Sequence, residues 1–324
     1  MIHKVGVGGL VGAALIYILP YLLCPPPSRE PQKHVKISKQ LRATAGRLLY
    51  VEAVRQSQER AAYLPDVRYR SRLFTCERRA IPGKKLIAKR SKWGGEYLIN
   101  VKTCEHPYCP VCAGRRARAL RRDIEQAIEA HEQAGGLVVL GTFTIRDVDV
   151  ALVEQAARWE IARAALHNSK PWRAMAARYG LTSSLRVTES TYMLKAHHFH
   201  MHDHVLLFVA GSVDVSKLHA DLNGAWQRSC NSRGLEARSV DVTRADGGAG
   251  SYLTKQANMC CIKDDAKSCG PLQLLRHFHD TGDSEYAKLY VEFARSMKRD
   301  GKRDRAPVYW HGKQALKTAL IHGA

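Results

Sequence analysis

The stretch His200–Val209, HMHDHVLLFV, decides the fold of this chain, because alternating histidines run directly into a continuous apolar segment. The histidines at every second position are His200, His202 and His204. Successive side chains of a β-strand point to opposite faces, so these imidazoles would share one face of a sheet. Neutral imidazole is the commonest protein ligand for a divalent cation. The stretch therefore predicts a core strand that carries a metal site; the alternative is a histidine-rich surface strand that binds no ion.

Two further apolar segments are predicted to be strands beside the histidine strand. Leu137–Ile145 (LVVLGTFTI) is rich in β-branched residues, and Leu185–Tyr192 (LRVTESTY) places Glu189 on its apolar face. A carboxylate there is either a further metal ligand or a partner that orients a ligating histidine; the alternative is an exposed glutamate. Helices are predicted at Asp149–Ala165, Lys170–Tyr179, Val213–Arg228 and Glu285–Arg299, and another begins near Tyr252.

The overall charge points to a polyanionic partner. The 324 residues carry a formal net charge of +21, and a hydrophobic fraction of 45% is sufficient for a core of ordinary size. Such a charge favours DNA or RNA, whose phosphates attract basic proteins regardless of sequence, with an anionic membrane surface as the lesser alternative. The cysteines number nine, an odd count in irregular positions, which indicates metal binding in a reducing cytoplasm rather than a disulfide framework.

Three cysteines have the close spacing of a zinc site. Cys104, Cys109 and Cys112 lie in CEHPYCPVC, and a structural zinc ion needs four ligands. Cys76 is the expected fourth ligand, across a small β-type excursion, and His106 is the reserve candidate. The alternative is reduced cysteines that pack as small apolar groups.

An arginine-rich helix is predicted to follow the cysteines directly and to run to His131. Its basic residues are Arg115, Arg116, Arg118, Arg121 and Arg122. Guanidinium groups suit contacts with phosphate, so the segment is a candidate DNA-binding helix, and the alternative is a solvated basic face.

The N-terminal segment Val5–Cys24 contains no charged residue and, at about 1.5 Å per helical residue, would be long enough to cross a bilayer. Basic residues follow it, so a membrane anchor would leave the rest of the chain in the cytoplasm. The other interpretations are a signal peptide, which the cysteine usage disfavours, and a translation start downstream of Met1.

Four motifs in a fixed order resemble the rolling-circle replication initiators of plasmids and phages, which belong to the HUH endonuclease superfamily. They are Cys-x4-Cys-Pro-x-Cys-x2-Arg-Arg, the strand GTFTI, the strand HMHDHVLL and the segment YLTK. The C-terminal segments PLQLL and EFARSMKRDGKR are also similar to that group, so the resemblance covers about Cys76 to Arg303.

The resemblance implies an α+β fold, in which helices flank a central antiparallel HUH-type sheet. A small zinc-binding module and an N-terminal hydrophobic helix would precede it. The predicted parts are a hydrophobic segment at 1–24, a proline-rich linker and basic helix at 25–67, a zinc-binding module with the arginine-rich helix at 68–135, an HUH nicking domain at 136–260 and a basic helical extension at 261–324.

The resemblance also implies the chemistry. A histidine pair would hold Mg²⁺ or Mn²⁺, of which imidazole ligands favour Mn²⁺, and Tyr252 would nick one DNA strand, with Lys255 in the lysine position of the motif. The ligand pair is either His200 and His202 or His202 and His204, because Asp203 replaces the usual hydrophobic residue between the latter two. The same chemistry serves transposases and relaxases, and a non-catalytic, zinc-containing DNA-binding protein is the further alternative.

The implied partners are single-stranded or hairpin origin DNA and the host helicase and polymerase. The expected location is the cytoplasm, either free or tethered to the membrane through residues 5–24. A termination nucleophile is not assigned, because Gly248 and Gln256 stand one helical turn from Tyr252 on either side. The cysteines at 260, 261 and 269 are expected to be reduced thiols, and no role is assigned to them.

Overall fold

The computed structural model describes residues 44, 45, 48, 76, 80–90, 96–104, 109–245, 248–258, 267–296 and 308–312. The predicted hydrophobic segment, the proline-rich linker, most of the basic helix after it and His106 lie outside these ranges. Within them, no helix combines the length and the apolar character that a membrane span requires.

A six-stranded antiparallel sheet forms the centre of the protein and confirms the predicted α+β class with an antiparallel sheet flanked by helices. Its order is β6-β3-β5-β4-β7, and β8 also pairs with β4; β1 and β2 form a separate hairpin. The strands are β1 Ile87–Arg90, β2 Glu96–Ile99, β3 Gly136–Thr144, β4 Ser183–Met193, β5 His198–Ala210, β6 Asp241–Arg244, β7 Ser268–Cys269 and β8 Val308–His311. The histidine strand is β5, and it lies between β3 and β4.

Seven helices have both ends within the described ranges, and the helices predicted at 149–165, 170–179, 213–228 and 285–299 correspond to four of them. They are α1 Pro110–Gln133, α2 Leu152–His167, α3 Lys170–Arg178, α4 Val215–Asn231, α5 Ala249–Asn258, α6 Pro271–Thr281 and α7 Ser284–Ser296. Local signals set several of the starts: a proline occupies the first turn of α1, and Asp214 accepts hydrogen bonds from the backbone N–H groups of Ser216 and Lys217 to cap α4.

The two faces of the sheet have separate helical covers. On the face of the even-numbered β5 residues, Leu206 and Phe208 belong to the same apolar cluster as Ile124 of α1 and Leu253 of α5. Helix α1 can bury its apolar stripe there because its buried residues follow the three- and four-residue spacing of an amphipathic helix. The arginine-rich helix and the tyrosine helix therefore pack against the face of the sheet that carries the histidines.

The opposite face holds the larger core. Leu207 of β5 shares this cluster with the aromatic residues Trp159, Trp226 and Phe293, which lie on α2, α4 and α7. Full burial of one large apolar side chain contributes about 1.5–3 kcal/mol, so these helices hold β5 firmly from behind. The C-terminal helices thus belong to the core of the sheet.

Candidate functional site

Strand register places the predicted carboxylate beside the histidines. Glu189 of β4 is the direct antiparallel partner of His202, and Val187 is the partner of His204. On the other side of β5, Thr142 of β3 is paired with His204. Paired residues of an antiparallel ladder share a face, so all these side chains lie on the face covered by α1 and α5.

Glu189 joins two of the three predicted histidine ligands. Its Oε2 atom lies 2.5 Å from Nε2 of His202 and 3.2 Å from Nε2 of His204. One ligand atom from each of these three residues falls within 4.8 Å of the others, so the group could hold a metal ion. His200 is not part of this group. The geometry thus favours His202 and His204 over His200 and His202 as the ligand pair.

The surroundings of the group suit a divalent cation. Burial acts to raise the pKa of Glu189, but hydrogen bonds and charge from His202 and His204 outweigh it and lower the pKa to about 2. Burial is the main cause that lowers the pKa of His204, which favours the neutral imidazole. Metal ligands must be deprotonated, so an ionised carboxylate beside a neutral imidazole is the required state. Thr142 Oγ1 lies 3.2 Å from Nδ1 of His204 and can orient that ring while Nε2 faces an ion.

Tyr252 lies beside this group. Its ring centroid is 5.2 Å from that of His204, and the two planes meet at 79°. Helix α5 packs closely on α1, since a Cβ atom at Gly250 would lie only 2.8 Å from Cγ of Glu125. This close packing places Tyr252 beside His204. Lys255 is also in α5, one turn further on, but its side chain lies outside the described residues.

His200 has a different carboxylate partner, which the sequence did not reveal. Its Nδ1 atom lies 2.8 Å from each carboxylate oxygen of Asp147, in the loop after β3. His198 Nε2 lies 3.6 Å from Oδ2 of the same carboxylate. His198 could have been found from the sequence, because HFHMHDH continues the alternation one step further back; Asp147 carried no such signal.

Asp203, the residue that departs from the family pattern, points to the opposite face of the sheet. Its carboxylate accepts hydrogen bonds from Nε and Nη2 of Arg163 on α2, at 2.5 and 2.8 Å, and from the hydroxyl of Thr188 at 2.7 Å. Burial acts to raise the pKa of Asp203, and the charge and hydrogen bonds of Arg163 reverse this effect and lower it. The charged residue is accommodated between the two histidines because a partly buried arginine pairs with it.

The four predicted zinc ligands lie together. Sγ of Cys76 is 3.5 Å from that of Cys112 and 3.8 Å from that of Cys109, and Sγ of Cys104 is 3.6 Å from that of Cys112. These separations exceed the S–S length of a disulfide bond, so none of the four cysteines forms a disulfide, and all four are buried. Four sulfur atoms at about 2.3 Å from one ion would be spaced by similar distances, so the cluster fits a tetrahedral metal centre. Cys76 is the fourth member of this cluster.

Two thiols of the cysteine cluster have shifted pKa values. Hydrogen bonds from Cys104, then from Cys109, lower the pKa of Cys76 to about 7, whereas hydrogen bonds within the cluster raise that of Cys109. Thiolates are the form that binds metal, so a bound ion would displace the remaining protons.

Helix α1 begins at this cluster, since Cys109 is its N-cap residue and Cys112 lies in its first turn. The exposed predicted arginines are Arg116, Arg118, Arg121 and Arg122; the side chain of Arg115 lies outside the described residues. Arg121 forms an ion pair with Glu125, at 2.6 Å. The cysteine cluster therefore sets the direction of a basic helix that packs against the tyrosine helix.

Comparison with known families gives one match. Residues 96–219 match the model of the family described as Replication protein (Rep_1), which confirms the resemblance to rolling-circle replication initiators over that range. The matched range includes three of the clustered cysteines, the arginine-rich helix and the histidine strand, and it ends before Tyr252. No curated protein and no solved structure matches the chain.

Proposed function

We propose that this chain, whose central segment matches replication proteins, initiates rolling-circle replication by nicking one strand of origin DNA with Tyr252 as the nucleophile. The observation that supports this most directly is the position of Tyr252 beside His204, in a group of two histidines and one carboxylate that could hold a metal. A nucleophile and a cation site on neighbouring elements are what transfer of a phosphodiester requires.

Glu189, His202 and His204 are the proposed ligands of the divalent cation. Mg²⁺ or Mn²⁺ bound there would neutralise charge on the non-bridging oxygens of the phosphate. Two imidazoles and one carboxylate favour Mn²⁺ over Mg²⁺, because Mg²⁺ prefers a shell of oxygen ligands.

In the proposed step, the phenolic oxygen of Tyr252 loses its proton and forms a bond to phosphorus. The bond between phosphorus and the 3′ oxygen of the preceding nucleotide breaks, and that oxygen takes up a proton. The products are a 5′-phosphotyrosine and a free 3′-OH that can prime synthesis, and the step is reversible. Lys255 is proposed to stabilise the charged phosphate from the same helix.

The cysteine cluster and α1 are proposed to form the DNA-binding part of the site. Zinc in the cluster would fix the N-terminus of α1, and the exposed arginines would contact phosphates of single-stranded or hairpin origin DNA. The partners that extend the 3′-OH are proposed to be the host polymerase and helicase.

The test is formation of a covalent adduct between the full-length protein and 5′-labelled single-stranded oligonucleotides from the encoding replicon, in the presence of Mn²⁺. We expect an adduct on a denaturing gel that is absent with EDTA and absent from Tyr252→Phe. Tyr286→Phe is the matched control, because Tyr286 lies on α7, across the sheet, and stacks on His277.

An adduct that persists in Tyr252→Phe would assign the nucleophile elsewhere. If no adduct forms and the DNA is bound with a steep salt dependence, the protein is a non-catalytic DNA-binding protein. A nick site beside the gene, rather than at the ends of a mobile element, separates an initiator from a transposase or relaxase.

A further inference from the structure

We propose that Asp147, His198 and His200 form a second binding site for a divalent transition metal, one step along β5 from the group of Glu189, His202 and His204. The ligand set has the same composition as the first: one carboxylate and two histidines that alternate on a single strand. The proposed activity does not use these residues, and the proposal stands on their geometry alone.

Two imidazoles converge on one carboxylate at this position. Nδ1 of His200 lies 2.8 Å from Oδ2 of Asp147, and Nε2 of His198 lies 3.6 Å from the same atom. Ligand atoms around a first-row metal at about 2.0–2.2 Å are themselves about 3–4 Å apart, so these two separations are compatible with a shared ion. The ligand atoms of all three residues do not yet lie within 4.8 Å of one another, so the His198 ring, whose Nδ1 lies 3.2 Å from the carbonyl oxygen of Ala196, has to turn before it can reach the ion.

The backbone holds Asp147 in front of the strand. Ile145 forms an isolated β-bridge with Ala237, the N–H of Arg146 donates to the carbonyl of Glu236 at 2.8 Å, and the N–H of Arg238 donates to that of Thr144 at 2.9 Å. These bonds fix the chain immediately before the carboxylate, and on its other side Nε2 of Gln155 donates to the carbonyl of Val148 at 3.0 Å. A ligand held by a rigid backbone loses little entropy when an ion binds, which favours binding.

The guanidinium group of Arg238 would repel a bound cation, but this exposed side chain is able to move away. Nη2 of Arg238 lies 3.9 Å from Oδ2 of Asp147, and the Arg238 side chain is 59% exposed. The Asp147 side chain is only 17% exposed. An ion can therefore replace the guanidinium as the partner of the carboxylate, while the arginine side chain turns into solvent.

The two sites are neighbours. The rings of His200 and His202 are 5.1 Å apart, between centroids. Two imidazoles and one carboxylate select Mn²⁺, Co²⁺, Ni²⁺ or Zn²⁺ over Mg²⁺ or Ca²⁺.

The test counts Mn²⁺ bound by the full-length protein after treatment with EDTA, from the loss of the free Mn²⁺ signal in electron paramagnetic resonance. Mn²⁺ is chosen because it competes poorly for thiolates, and zinc content measured separately monitors the cysteine cluster. We expect two equivalents for the wild type, and one each for Asp147→Asn and His198→Ala. Asp149→Asn, at an exposed position two residues away, is the matched control and should keep both.

A single equivalent in the wild type that Asp147→Asn does not change would overturn the proposal, because Asp147, His198 and His200 would then form a hydrogen-bonded cluster without an ion. Two equivalents that survive in both Asp147→Asn and His198→Ala would also overturn it. Glu189→Gln separates this proposal from the proposed function: if it changes nothing while Asp147→Asn removes one equivalent, the second site is real and the first is not.

Discussion

The ring of Tyr252 meets the ring of His204 nearly edge-on, with 5.2 Å between centroids. This contact connects α5 to the central strand of the sheet, on the face where Glu189 joins His202 and His204. The contacts that position the imidazoles of His202 and His204 therefore also set the distance from Tyr252 to an ion bound by this group. Tyr252, the proposed nucleophile, and the proposed cation site are thus parts of one packed unit.

Loss of the Glu189 carboxylate should weaken metal binding at the group of three. We expect Glu189→Gln to lower the Mn²⁺ affinity by more than the roughly 10–100-fold that removal of an outer-shell partner costs, since it would remove a proposed direct ligand. Titration of the bound metal by calorimetry measures this. Glu160→Gln is a suitable control, because Glu160 lies on α2, behind the sheet. Equal affinities in wild type and Glu189→Gln would show that the carboxylate is not a ligand.

Much of this site could be predicted from the sequence because the determining patterns are local. Alternation within one strand determines which histidines share a face of the sheet. The close spacing of Cys104, Cys109 and Cys112 predicts a turn that brings their thiols to one metal site. Two features were not predictable. Asp147 follows a different strand, and the partner of Asp203 lies 40 residues away on α2; such contacts depend on how helices and strands pack, which no local pattern encodes.

Removal of one cysteine from the cluster should release its metal and destabilise the start of α1. Structural zinc contributes apparent binding free energies of about 10–16 kcal/mol in zinc-finger peptides, so we expect Cys112→Ser to lose the zinc and to lower the melting temperature. Metal content by mass spectrometry and thermal unfolding together test this. The control is Cys230→Ala, a buried cysteine of α4 that lies outside the cluster. Full zinc content in Cys112→Ser would argue against a four-thiolate centre.

The arginines of α1 should contribute to DNA affinity through phosphate contacts. We expect Arg118→Gln and Arg122→Gln each to reduce the slope of log K against log salt by about 0.7–0.9, the value for one phosphate contact, and to weaken binding equally for all sequences. Fluorescence anisotropy at several salt concentrations measures the slope. Lys170→Gln removes one exposed charge on α3 and should leave the slope unchanged. An effect of Lys170→Gln as large as those of the arginines would mean that net charge alone sets affinity.

Arg163 and Asp203 form an ion pair behind the histidine strand. Removal of one partner alone should destabilise the folded protein more than removal of both. Arg163→Met leaves the Asp203 carboxylate buried without its charged partner, and we expect a loss of about 3–5 kcal/mol in the free energy of unfolding. The double variant Arg163→Met with Asp203→Leu removes both charges and should recover most of that loss. Urea unfolding of the two single variants and the double variant gives the coupling free energy. If the losses simply add, the two residues do not stabilise each other.

The ion pair between Arg163 and Asp203 should make stability depend on pH in the acid range. The pKa of Asp203 in the folded protein lies below the ordinary value of 3.8, so Asp203 binds a proton more readily in the unfolded chain than in the folded one. Its contribution is therefore fully present above pH 4 or so, and it is lost as the pH falls through the folded-state pKa. Urea midpoints measured between about pH 5 and pH 2 should fall more steeply for the wild type than for the double variant. Identical slopes would mean that other carboxylates cause the acid unfolding and that the charge of Asp203 does not contribute to stability.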